Sequence, residues 1–82
     1  MAGFFYLHCR LRHLLLERIH NGQLTERGLS RKIGVSQPHI HNVLRGKRLF
    51  STETADLILR DLNLDVWDLL DPRELLEWQQ RR

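Results

Sequence analysis

The chain reads as an all-α protein of five or six helices, and three observations carry that reading. Apolar residues recur at spacings of three and four, glycine, proline and capping residues punctuate these stretches, and no segment alternates apolar with polar as a half-buried strand does. Its 82 residues leave room for one hydrophobic core, because a chain of this size buries only roughly 60 to 65% of its unfolded surface.

Leu7, Leu11, Leu14, Leu15 and Ile19 place one apolar stripe on a first helix, which Asn21-Gly22 closes through glycine's access to the left-handed conformation. Thr25 caps a short second helix whose inward residues are Leu29 and Ile33, with Gly34 at its end. Gly28 inside it costs about 1 kcal/mol relative to alanine. Ser36 caps a third helix that tolerates Pro38 in its first turn, where a missing N–H does no harm, and Gly46 closes it. Ser51 or Thr52 caps a fourth helix carrying Ala55, Ile58, Leu59 and Leu62, with Asn63 in place of the usual exit glycine. Asp65 starts a short fifth helix through Val66 and Leu69, and Asp71-Pro72-Arg73-Glu74 reads as a capping box for a last helix to about Gln80.

Composition is that of an ordinary globular chain, at 41% hydrophobic and 28% charged. The single cysteine, Cys9, cannot form an internal disulfide and fits a reducing compartment, so a cytoplasmic location is expected. The apolar start from Ala2 to Leu7 precedes Arg10 and Arg12, the reverse of a signal peptide's charge order, and no apolar run is long enough for a spanning helix. No membrane association is expected. The net charge of +3 is unevenly spread, at +7 over residues 1–50 and −4 over residues 51–82. Between Glu26 and Glu53 the chain carries Arg27, Arg31, Lys32, Arg45, Lys47 and Arg48 and no acid. That stretch is either a polyanion footprint or a solvated basic face.

The spacing of the second and third helices around Gly34-Val35-Ser36 is that of two short helices crossing steeply, with the second presented outward. With Ile40 turned to the core at about 100° per residue, Val43 and Leu44 fall beside it and Pro38, Asn42 and Arg45 fall opposite. Gln37 and Asn42 can each pair two hydrogen bonds with adenine in a major groove, and arginine can do so with guanine or hold phosphate.

The stretch from Leu24 to Lys47 resembles the phage repressor and Cro-like helix-turn-helix family, also called the xenobiotic-response-element-like regulators. The resemblance lies in Leu29-Ser30, Gly34-Val35-Ser36, Ile40 and Gly46-Lys47, continues through Ala55 to Leu62 and the pair Leu69-Leu70, and covers roughly residues 7 to 70. It implies a compact lambda-repressor-like domain over residues 1–70 whose third helix, about Gln37 to Leu44, enters the major groove, the docking geometry general to such proteins. Carried onto this chain, it implies that Gln37, Pro38 and Asn42, flanked by His41, read base edges. It implies that Thr25, Ser36, His39, Arg45 and Lys47, and more loosely Lys32 and Arg48, hold the DNA backbone. Three residues depart from the family pattern: Glu26 stands where an amide often touches the backbone, Pro38 has no donor, and His41 replaces a commonly small residue.

Other chemistry finds little support. Cys9, His13, Glu17 and His20 share one stripe of the first helix and could ligate a metal, but no second cluster closes a four-ligand site, so the stripe reads as a polar edge and no metal or cofactor is expected. There is no phosphate-cradling glycine loop, nucleophile elbow or HExxH, and no effector pocket is evident, so the chain is expected not to be an enzyme. Residues 71–82 form a helical extension of the same domain, in which Leu75, Leu76 and Trp78, with Trp67 before them, either complete the core or form a self-association surface. The expectation is a cytoplasmic, nucleoid-associated transcriptional regulator of bacterial or phage type, binding double-stranded DNA as a homodimer and repressing. The alternative is a protein-interaction module, such as an antitoxin-like or phage accessory subunit.

Overall fold

The computed structural model describes residues 2–70 and 72–80; the side chains of residues 2–4, 74, 75, 78 and 79 lie outside that description. Six helices follow in order: α1 (Ala2–His20), α2 (Glu26–Ile33), α3 (Gln37–Leu44), α4 (Thr52–Asp61), α5 (Val66–Leu69) and α6 (Pro72–Gln80). There is no strand among the described residues, so the all-α expectation holds.

Local chemistry sets the helix ends. The Thr25 hydroxyl accepts the Gly28 N–H at 2.9 Å, that of Ser36 accepts the His39 N–H at 3.3 Å, and that of Ser51 accepts the Thr54 N–H at 3.1 Å. Ser51, not Thr52, is therefore the cap of α4. Asp65 and Asp68 form a reciprocal capping box that holds the single turn of α5. Gly34 closes α2 at φ 73° and Asn63 follows α4 at φ 56°, both left-handed, as the exit residues require. Gly28 has a use beyond its cost in helix propensity. A Cβ there would lie 2.9 Å from the Thr25 hydroxyl oxygen and displace the α2 cap.

The core gathers one stripe from each of five elements: Leu11 and Leu15 of α1, Leu29 of α2, Ile40, Val43 and Leu44 of α3, Ile58 of α4 and Leu69 of α5. Leu24 and Phe50 complete it from the loops. Each of these two stands just before a capping residue, at the position from which an apolar side chain staples the helix that follows. α1 runs behind the rest, packing on α3 and α5, while α2 packs on α3 and α4. The face of α3 away from α1 and α2 is thereby left open.

In α5, Leu69 is buried while Val66 is 44% exposed. The basic segment after α3 ends on Phe50, which is 2% exposed and among the largest fully buried side chains. The Asp71 cap expected for α6 and the side chains of Glu74, Leu75 and Trp78 lie outside the described residues.

Candidate nucleic-acid interface

The connection between α2 and α3 is held by side chain as well as by caps. The Ser30 hydroxyl donates to the carbonyl of Val35 across the turn, and the Gly34 N–H donates to the Ser30 carbonyl at 3.0 Å. A small hydroxyl residue in α2 thus fixes the angle at which α3 leaves, which gives Ser30 a structural reason. With Ile40, Val43 and Leu44 buried, Gln37, Pro38, His41 and Arg45 are exposed and Asn42 is half-buried. The backbone carbonyl of Asn42 accepts the Lys47 N–H at 2.9 Å, which turns the chain after Gly46.

The predicted backbone-holding residues surround this face unevenly. Thr25, Ser36, Arg45, Lys47 and Arg48 are all exposed. Thr25 and Ser36 spend one acceptor on their caps, which leaves their hydroxyl protons for another acceptor. Lys32 lies 3.8 Å from Asp61 of α4, an exposed pair that contributes little to stability. His39 is half-buried, its ring set edge-on to Phe50 at 6.1 Å between centroids.

Three contacts escaped sequence reasoning. Arg12 of α1 reaches the far end of α3: a Cβ on Gly46 would lie 3.2 Å from its guanidinium, which adds a cation beside Arg45 and Lys47. Glu26, the first residue of α2, lies 3.3 Å from Nδ1 of His41 through each of its two carboxylate oxygens. His8, also on α1, is 3% exposed, and its Nε2 accepts the Phe50 N–H at 2.9 Å while the two rings stand 5.7 Å apart. Staple spacing could have revealed Phe50; no signal in the sequence marks its histidine partner.

His8 therefore anchors the basic loop in its neutral form. Burial, and then the Arg12 guanidinium, pull its pKa below the ordinary histidine value of 6.5. The unfolded chain then binds the proton more readily, so stability is complete above the ordinary value, falls as pH drops below it, and levels off beneath the lowered folded pKa. Melting curves across that range are expected to show a falling midpoint. In His8→Gln, whose amide oxygen can accept the same N–H, the fall becomes shallower; an unchanged fall would assign it to another group.

The stripe of Cys9, His13, Glu17 and His20 divides. Cys9 is half-buried, whereas His13, Glu17 and His20 line a groove of about 410 Å³ with Arg10 of α1 and Asp68 and Leu69 of α5. Arg10 closes one side by donating from Nε to the Leu69 carbonyl at 2.9 Å. Among the described residues no three such side chains come together as a metal site, and no helix is long and apolar enough to cross a membrane.

The sequence profile of the helix-turn-helix family matches residues 17–66, more than half of the chain, from late α1 to the start of α5. The chain belongs to the helix-turn-helix family of Cro/C1 type. No curated protein and no solved structure matches it. As a member of this family it is a DNA-binding transcription regulator. The helix-turn-helix unit is α2, the Gly34-Val35-Ser36 turn and α3, as the resemblance implied, and the matched span also takes in α4.

Proposed function

We propose that this helix-turn-helix protein is a sequence-specific repressor that inserts α3 into the major groove of duplex DNA, reading bases with Gln37, Pro38, Asn42 and His41. The observation that carries this reading is the open face of α3, where exposed Gln37 and Arg45 and half-buried Asn42 stand on a helix whose opposite side is locked into the core. Arg45, Lys47 and Arg48, with Thr25, Ser36 and His39, then hold phosphates at the rim, and Arg12 adds to the field from behind. Lys32, held toward α4, contributes from farther off. Repression follows from occlusion of a promoter. The reading involves no enzymatic step and no cofactor or effector, and places the protein on the nucleoid in the cytoplasm.

Residues 71–82 extend the domain of residues 1–70, and the acidic half of the chain, residues 51–82 at −4, turns away from DNA. Trp67 is 72% and Leu76 56% exposed, which supports a homodimer formed on this side. A twofold dimer calls for an operator with two half-sites about 10 base pairs apart. Selection from a random duplex library at about 150 mM salt, where nonspecific phosphate binding is much reduced, is expected to enrich such an inverted repeat. A single unpaired half-site would remove the dimer, and no enrichment would remove the sequence-specific reading. In that last case, partner capture lost on truncation of Trp67 would favour an interaction module.

A further inference from the structure

Gln37, His41 and Arg45 follow one another at spacings of four, so they share one side of α3, and all three are exposed. The carboxylate of Glu26 lies against this row, held at 3.3 Å from His41 Nδ1. An anion has thus been placed on the face that meets DNA. Its position at the start of α2 is favourable to the helix dipole, which gives it a local reason to be there, but not one that helps DNA binding.

The surrounding charges single out the pair. On α2, Arg27 is exposed beside Glu26 and Lys32 lies against Asp61 of α4. From α1, Arg12 reaches the opposite end of α3 at Gly46, and His8 is turned onto Phe50. On α3 itself, His39 faces Phe50 and Arg45 lies a turn beyond His41. His41 is the titratable partner that the structure gives Glu26.

We propose that His41 acts as a positioning and neutralising residue for Glu26, so that DNA binding takes up a proton on the His41 imidazole. This rests on the reading of α3 as the DNA-facing helix. A neutral imidazole can hydrogen-bond the carboxylate but leaves its full charge facing the phosphates. The imidazolium cancels that charge. Phosphates approaching the pair favour the protonated form, and by linkage the protonated form binds DNA more tightly. Histidine is the side chain that makes this exchange near neutral pH.

The test is binding to a mixed-sequence duplex of about 30 base pairs at constant salt, at about pH 6 and about pH 8, for the wild type, His41→Gln and Glu26→Gln. One linked proton changes affinity by at most tenfold per pH unit, and the wild type is expected to gain about three- to tenfold more on acidification than His41→Gln does. The His41→Gln control removes the contribution of His8, His13, His20 and His39. Glu26→Gln is expected to bind more tightly than wild type at the higher pH, where the carboxylate is least compensated. Circular dichroism and melting midpoints check that both variants are folded. Equal pH dependence in wild type and His41→Gln, or weaker binding by folded Glu26→Gln at the higher pH, overturns the proposal. Absence of duplex binding by all three proteins at both pH values instead overturns the DNA-facing assignment of α3.

Discussion

Phe50→Ala is expected to lower the free energy of unfolding by about 3 to 5 kcal/mol, the range for truncating a fully buried aromatic residue. Small domains have about 5 to 15 kcal/mol in total, so the variant retains little margin. The size of the effect follows from what Phe50 touches. Its ring fills the space between α1 and α3, with the His8 ring at 5.7 Å and the His39 ring at 6.1 Å, and it is 2% exposed. Alanine leaves a cavity between α1 and α3 where the ring stood. Because Phe50 also ends the segment that carries Arg45, Lys47 and Arg48, duplex affinity should fall with stability even though Phe50 itself is buried. Phe50→Leu keeps much of the volume and should cost less than about 1.5 kcal/mol. Urea unfolding of the two variants measures both; a loss under about 1 kcal/mol for alanine would mean that the site relaxes around the gap.

Asn42→Ala and Lys47→Ala are expected to weaken DNA binding in different ways. In the proposed reading the Asn42 amide pairs a donor and an acceptor with one base, so its loss should cost about 1 to 3 kcal/mol at the selected operator and relax the preference at one base pair. Lys47, exposed beyond the end of α3, can supply only charge. Its loss should weaken all duplexes alike and lower the salt slope by about one unit. Titrations of both variants against operator and mixed-sequence duplex over a range of salt separate the roles, and identical behaviour would overturn the assignment. Asn42 is half-buried, so the melting midpoint of its variant is needed to separate binding from stability.

The helix ends were legible because their chemistry is local. Thr25, Ser36, Ser51 and Asp65 each accept an N–H within three residues, and Gly34 and Asn63 take left-handed conformations that exclude most other residues. The orientation of α3 was legible too, since Ile40, Val43 and Leu44 lie on one side of any helix drawn through them. The pairing of Glu26 with His41, fifteen positions apart, was not: each residue was visible as a departure from the family pattern, but nothing in the sequence joined them. Gly28 appeared only as a cost until the hydroxyl beside it was seen.

Periodicity, caps and charge order along the chain thus specify an all-α protein with a helix-turn-helix and a basic face, because each depends on neighbours within a turn or two. The anchoring of that face depends on α1 crossing behind α3. His8 reaches Phe50 across 42 positions and Arg10 reaches Leu69 across 59, contacts that come into being when the helices pack and that no local spacing encodes. The same packing decides which polar side chains remain at the surface: it buries His8 against Phe50 and leaves His13 and His20 open in the groove along α5.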